Sequence, residues 1–255
     1  MINNLVSIIM PAYNAGRTIS ESIDSVLSQS YQDWELLVVD DCSKDNTLDV
    51  IQKYADGDNR ITIIKNEKNL GVAASRNKAI AMARGEWVAF LDADDLWCGD
   101  KLEKQILFAN QHSDAVLIYT AAHYMNADGI MYKYVMPVEL KFGFKQLLHR
   151  NILICSSVLL RKDIAQQVPM KDGCLHEDYL EWLEITKPGY FAYGINEPLV
   201  IYRLQEESRS SNRLKAAYMS YNTYRAIGFN VLYSAYLVVR YTFYSVGKRR
   251  KIKNV

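Results

Sequence analysis

A chain of 255 residues that is 49% hydrophobic and 23% charged can bury one sizeable core and is neither disordered, collagen-like nor of low complexity. Its formal net charge of +1 is a cancellation, because residues 1–207 hold all 29 acids and 20 bases while residues 208–255 hold ten bases and no acid. A basic tail on an acidic body points to an anionic partner for the tail, either a membrane surface or a nucleic acid.

Short apolar runs alternate with helical patterns through the first half, as in a parallel sheet with helical crossovers. Residues 5–10 read as a buried strand, with Pro11-Ala12-Tyr13-Asn14 as the loop after it. A helix is expected over about 17–30, with Ile19, Ile23, Val26 and Leu27 on one face. The second strand, 34–39, stops at Asp40-Asp41, and Ser43 and Asp45 are cap candidates for a helix turning Leu48, Ile51 and Tyr54 inward. Strand three is 61–64. The turn Asn69-Leu70-Gly71 opens a helix over 72–83, with Gly85 as its terminating glycine. The apolar fourth strand, 87–91, runs straight into Asp92-Ala93-Asp94-Asp95. A helix at Lys101–Gln111 and a strand at 116–120 continue the alternation. Beyond 121 the pattern loosens, with strand candidates at 130–136, 152–160 and 199–204 and a helix at Glu177–Thr186. No Pro/Gly/Ser-rich linker separates a second domain, so residues 1–208 read as one domain and 209–255 as an extension.

Cys42, Cys98, Cys155 and Cys174 are scattered without metal-ligand spacing, which suits reduced thiols. The first apolar run is short, lacks a basic flank and ends in Pro11, so no signal peptide is expected and the body should stay in the cytoplasm.

Open α/β sheets bind ligands beyond the carboxyl ends of their strands. Three strands end here in unusual polar sequences, and the topology brings Pro11–Asn14, Asp40–Ser43 and Asp92–Asp95 to one rim. Carboxylates crowded on a rim either face bulk water or hold a cation. Magnesium and manganese are commonly held by one or two carboxylates plus substrate phosphates. In an extended segment Asp92 and Asp94 would point the same way, which suits such a site. The plainer alternative is that Asp simply forms turns at strand ends.

These motifs resemble the family-2 glycosyltransferases of the GT-A fold. The resemblance covers roughly 5–208 and rests on VSIIMPAYN from Val6, VVDDCS from Val38, NLGVAASRN from Asn69, GEWVAFLDADD from Gly85, HED at His176 to Asp178 and YRLQEES from Tyr202. It implies an α/β, Rossmann-like mixed sheet flanked by helices, and an inverting, metal-dependent transfer from a nucleoside-diphosphate sugar, with a UDP-sugar as the leading donor. By the same resemblance Pro11 and Tyr13 pack against the nucleotide, Asp41 (or Asp40) reads the base edge, and Arg76 lies near the nucleotide and diphosphate. Asp92 lies near the ribose or sugar, Asp94 is the metal ligand for magnesium or manganese, and Asp178 is the catalytic base. Glu177 competes with Asp178, since both lie within one helical turn. Gln205 departs from the family, which often has histidine there to assist the metal or diphosphate. Arg203 could face the diphosphate or make a structural ion pair. Trp97 and Trp182 read as core or acceptor-wall aromatics.

The tail places seven of the 18 tyrosines between Tyr218 and Tyr244, among many aliphatic residues. Residues 226–247 exceed the roughly 20 residues a membrane span needs, but Arg240 and the tyrosines make a poor span. Basic residues at 248–253 would also stay on the cytoplasmic side, putting the body outside. A helix or helical hairpin lying in the interface of an anionic membrane is favoured, each surface base adding about 1 kcal/mol. The polar positions Thr223, Asn230, Ser234, Tyr241, Ser245 and Lys248 share a helical face interrupted by Leu237. The alternative is a helix packed on the body or in a homodimer interface. Nucleic acid is not expected, since no recognition module accompanies the basic run.

The expected function is transfer of a sugar to a lipid-linked or polysaccharide acceptor of a bacterial surface glycan, by a peripheral enzyme at the inner face of the cell membrane. Two rivals are a membrane-recruited nucleotide-sugar-binding protein without turnover and an Asp-nucleophile phosphatase. The second expects its Asp-x-Asp near the N-terminus, followed by a hydroxyl residue, whereas Asp95-Leu96 follows here. A dinucleotide oxidoreductase is disfavoured because no GxGxxG follows the first strand.

Overall fold

The computed structural model describes residues 5–171, 177–204 and 213–253. In chain order these form β1 (Val6–Ala12), α1 (Ile19–Leu27), β2 (Trp34–Asp40), α2 (Thr47–Gly57), β3 (Ile61–Lys65), α3 (Val72–Met82), β4 (Trp87–Phe90), β5 (Leu96–Trp97), α4 (Lys101–Gln111) and β6 (Leu117–Met125). There follow β7 (Met131–Met136), β8 (Lys141–Phe142), α5 (Phe144–Leu147), a 3-10 turn (Cys155–Ser157), β9 (Leu159–Arg161), α6 (Lys162–Gln167), α7 (Glu177–Thr186), β10 (Ala192–Arg203), α8 (Arg213–Ala226) and α9 (Val231–Lys253).

The sheet runs β3-β2-β1-β4-β9-β6-β10-β5, with β7 beside β6 and β8 beside β10. Strand β1 pairs in parallel with β2 and β4, and β2 with β3, so these strands end on one rim. Strand β9 is antiparallel to both β4 and β6, which sends β6, and β10 parallel to it, to the same rim. The chain crosses from β3 back to β4 on the far side of β1. The crevice between β1 and β4 is therefore a switch point, where α/β sheets place ligands. Helices α2 and α3 cover β1 to β3, and α4 packs on β6 and β10. With cover over the sheet, β1, β2 and β4 are buried almost throughout, which is why they read as unbroken apolar runs.

Helices α4 and α7 begin and end where the pattern places them. Other boundaries move for identifiable reasons. Helix α3 stops at Met82 with Ala83 extended, and Gly85 is not its left-handed cap. A Cβ at Gly85 would lie 2.4 Å from the Leu5 carbonyl oxygen and 2.7 Å from the Ser7 nitrogen, so the residue is glycine for want of space. The expected strand over 152–160 is a loop, the Cys155–Ser157 turn and the three-residue β9. Ser157 Oγ donates to the Ile154 carbonyl there, closing the turn. Strand β10 starts seven residues early, because Pro198 and two register shifts between Ile195 and Val200 break its pattern without ending its pairing to β6.

A buried carboxylate ties β1, β2 and the entry to β4 together. Glu35 accepts from Ser7 Oγ at 2.6 Å and from the Arg84 N–H and Nε at 2.7 Å each. Burial alone would raise its pKa, but the hydrogen bonds from Ser7 and Arg84 prevail and hold it below the usual value. Its stabilisation is therefore complete above the unfolded-state pKa and disappears as pH falls through the folded one. Glu35→Gln is expected to cost about 1–3 kcal/mol in denaturant unfolding at pH 7, since donors would face the amide NH2. The gap from wild type should shrink at pH 3, and a gap independent of pH would contradict this reading.

The tail is a helical hairpin turned at Gly228, where φ is +102°. It lies against the body: Tyr224 donates to the Leu148 carbonyl at 3.1 Å, and Lys187 Nζ to the Ile227 carbonyl at 2.8 Å. Among the described residues no helix is long and apolar enough to cross a membrane.

Candidate active site

The β1–α1 and β2–α2 loops form one side of the rim. Asn14 and Cys42 both adopt left-handed backbone, with φ of +51° and +63°. The two loops are laced by Asn14 N–H donating to Ser43 Oγ at 3.0 Å and Lys44 N–H donating to Asn14 Oδ1 at 2.8 Å. Pro11 pairs with Val39 one residue before the end of β1, and Tyr13 just past that end presents an exposed ring. Asp41 is buried. Its Oδ1 accepts from Leu70 N–H and Asn66 Nδ2, both at 2.8 Å, and its Oδ2 from Gly71 N–H at 2.9 Å. Gly71 delivers that bond from a φ of +88° at the start of α3, a backbone that only glycine takes without cost. Asp41 is thus a fixed carboxylate, with one acceptor position of Oδ2 outside these bonds. Asp40 accepts from Ser43 N–H at 3.3 Å.

The other side of the rim is built at the end of β4. Residues 92–95 form a tight turn, closed by Asp95 N–H donating to the Asp92 carbonyl at 3.1 Å. This corrects the expectation of an extended segment, so Asp92 and Asp94 do not share a side by strand alternation. Both are half-buried at the turn, whereas Asp95 points inward and is fully buried. Asp95 Oδ2 accepts from Ser156 Oγ at 2.6 Å and Oδ1 from Arg203 N–H at 2.9 Å. Burial, with Asp94 and Asp92 alongside, pushes the Asp95 carboxyl well up, against the lowering effect of those hydrogen bonds. Ser156 also accepts from Asp92 N–H at 3.1 Å, and Thr18 Oγ1 donates to the Ala93 carbonyl at 2.8 Å. Arg203 makes structural contacts: Nε to the Asp94 carbonyl at 2.9 Å and Nη2 to Glu21 at 2.7 Å.

Arg76, on α3, joins the turn to α7. Its guanidinium is only 3% exposed, with Nη2 2.5 Å from Asp92 Oδ1 and Nη1 3.4 Å from Glu177 Oε1. Burial opposes its charge. Cys155 beside it is pushed up by its own burial and stays a neutral thiol at ordinary pH, so Asp92 and Glu177 are what hold the guanidinium protonated. This clamp sets the first turn of α7 against the Asp92–Asp95 turn. It also separates the two acids: Glu177 is buried on Arg76, while Asp178 is half-buried and its Oδ1 accepts Tyr179 N–H at 2.8 Å.

Below them on α7 lie Glu181 and Trp182. Both are buried, and among the described residues neither Glu181 oxygen nor Trp182 Nε1 has a hydrogen-bond partner. Burial pushes the Glu181 carboxyl well up, although Arg76 opposes this. Trp182 packs edge-on to Phe90 at 5.7 Å, and Trp97 Nε1 donates to the Ser156 carbonyl at 2.8 Å, which makes both tryptophans core.

Arg76, Asp92, Asp94 and Asp178 are therefore gathered on one side of the rim, with Pro11, Tyr13 and Asp41 on the other. Sequence reasoning gave no role to Ser156, Asp95, Glu21 or Glu181. The polar pair Ser156-Ser157 inside an apolar run was the available signal for the first of these. His176 and Gln205 lie outside the described residues. Among the described residues no three His, Cys, Asp or Glu side chains converge to hold a metal. The oxygen donors of Asp92 and Asp94 fit a hard cation that takes most of its ligands from phosphate and water, rather than a preassembled centre.

Residues 7–168 match the glycosyl transferase family 2. A Bacillus subtilis (strain 168) protein named "Putative teichuronic acid biosynthesis glycosyltransferase TuaG" is 39% identical over 246 residues, covering 96% of this chain and 97% of that one. A UDP-Glc:α-D-GlcNAc-diphosphoundecaprenol β-1,3-glucosyltransferase of Escherichia coli is 37% identical over 251 residues, covering 97% and 96%. The fold is similar to that of S. aureus TarS 1-349 in complex with UDP-GlcNAc, with a TM-score of 0.72 at 19% identity over 91% of this chain and 70% of that one. It is also similar to a Pyrobaculum calidifontis mannosyltransferase in complex with GDP-Man and Mn2+, with a TM-score of 0.70 at 20% identity over 91% and 69%.

Proposed function

Because this chain belongs to the glycosyl transferase family 2 and is a glycosyltransferase of the GT-A fold, we propose that it transfers a sugar from a UDP-sugar to a hydroxyl of a lipid-linked or polysaccharide acceptor, with inversion, in bacterial surface glycan synthesis. The observation that carries this reading is the Arg76 clamp, which holds α7, and Asp178 on it, beside the Asp92–Asp94 turn. The named activity of the E. coli relative supports the donor and acceptor class.

In this reading Tyr13 stacks on the nucleotide base, Pro11 packs beside it, and Asp41 offers its remaining acceptor position to a base N–H. Arg76 holds Asp92 toward the sugar. Asp178 accepts the proton of the acceptor hydroxyl as the new C1–O bond forms, and the bond from C1 to the diphosphate breaks on the opposite face. Single displacement of this kind inverts the anomeric centre. Glu177, spent on Arg76, is not available as the base.

Asp94, with Asp92 beside it, would hold magnesium or manganese, whose charge neutralises the leaving diphosphate. Chelation is expected to lower transfer on the order of a hundredfold, reversed by added manganese. Asp94→Asn should raise the manganese needed for half-maximal nucleotide binding in calorimetry. Full activity in excess chelator would remove the metal from this account.

The enzyme works at the inner membrane surface without spanning it, with its basic tail on anionic lipid. Absence of turnover with every donor and acceptor tried, together with manganese-dependent nucleotide binding, would instead favour a binding protein.

A further inference from the structure

Helix α9 has an inner and an outer face. Leu237 and Ile252 are buried on the inner one, Ser234 is buried with them, and Tyr241 stacks on Tyr179 of α7 at 5.6 Å. Tyr241 is close enough to Asp178 to feel its charge, and Tyr179 OH lies 3.3 Å from Tyr224 OH of α8. The hairpin is thus packed directly against the helix that carries the proposed base. Two positions of the polar stripe read from the sequence, Ser234 and Tyr241, face the body on this inner side.

The outward face is the apolar one. Leu232, Tyr236, Val239 and Phe243 are 83%, 49%, 55% and 75% exposed. Together with exposed Arg250 they fall within about 60° of the helix circumference along about 27 Å. Arg240 and Lys251 flank the stripe, and Arg240 Nη1 donates to Tyr236 OH at 3.1 Å. Four large apolar residues in a row on an otherwise finished helix are an interaction surface.

We infer that the outer face of α9 is the docking face for an anionic bilayer, and that docking sets the acceptor side of the site at the membrane surface. Charge selects this occupant. Residues 208–255 carry ten bases and no acid, so a second copy of the chain laid on the same face would meet bases with nothing to pair them, whereas anionic headgroups supply the missing charge. Apolar side chains at headgroup depth with bases beside them are the composition of an interfacial helix. The second clause of the inference rests on the proposed role of Asp178; the first does not.

Deleting the hairpin is a poor test, because it would strip the cover from Tyr179. Surface variants avoid this. Leu232→Ser/Phe243→Ser in the full chain should keep the wild-type thermal transition and lower binding to phosphatidylglycerol vesicles at least tenfold. Arg240→Gln/Arg250→Gln/Lys251→Gln should weaken that binding and flatten its salt dependence. Wild type should bind phosphatidylcholine vesicles at least tenfold more weakly than phosphatidylglycerol. Transfer to a lipid-linked acceptor in vesicles should fall with binding, while transfer to a short-chain, water-soluble acceptor stays at the wild-type rate. Wild-type vesicle binding by the Leu232→Ser/Phe243→Ser variant would overturn the inference. So would a wild-type dimer that this variant converts to a monomer, with no vesicle binding by either. Vesicle binding that follows the prediction in a protein that transfers no sugar would leave the docking face standing and count against the glycosyltransferase reading.

Discussion

Asp178→Asn is expected to lower sugar transfer by roughly 10²–10⁴-fold, the usual contribution of a positioned general base, with nucleoside-diphosphate binding unchanged. The substitution is nearly isosteric and keeps an oxygen for the Tyr179 N–H, so the start of α7 should hold its geometry. What it removes is the site for the acceptor's proton. Glu177 is adjacent in sequence but buried against Arg76, and swinging it to the rim would break that contact and leave Asp92 to pair the buried guanidinium alone. Transfer should therefore not be rescued by the neighbouring acid. Calorimetry with UDP and manganese, beside initial rates, separates loss of chemistry from loss of binding. A variant within about threefold of wild type in rate would move the base elsewhere.

Arg76→Met should cost about 3–5 kcal/mol of stability, because it leaves Glu177 buried without its cation. For a chain of this size that is a fall in Tm on the order of 10 °C. Transfer should be lost as well, since the clamp is what fixes α7 against the Asp92–Asp94 turn. Arg76→Lys restores the charge but not the fork that reaches both carboxylates, and should fall between the two in Tm. The measurement is thermal unfolding of all three proteins. An Arg76→Met protein that melts with wild type would mean that Arg76 does not hold the site together.

How far the sequence speaks for itself differs along the chain. Helices α4 and α7 are legible in the sequence, because their apolar periodicity is clean and acids lie in their first turns. Strand β10 was only half legible: Pro198 hides a pairing that bulges carry past it. The Asp92–Asp94 spacing reads as an extended strand end, whereas a turn presents both residues at the rim. Asp95 and Ser156, the inner supports of that turn, are invisible to a linear reading because their partners lie 61 residues apart. The same holds for Arg76 and Glu177, 101 residues apart, whose contact sets the two neighbouring acids in different surroundings. In α9 periodicity found the two faces but assigned them to opposite environments. A face bearing Ser234 and Tyr241 looks solvent-directed until α7 is seen to cover it.

The anomeric configuration of the product tests the central claim most directly. With an α-linked UDP-sugar and a polyprenyl-diphosphate-linked sugar acceptor, coupling constants of the purified product should report a β linkage, as a single displacement with Asp178 as base requires. An α linkage would require a different route at this site and would contradict the account.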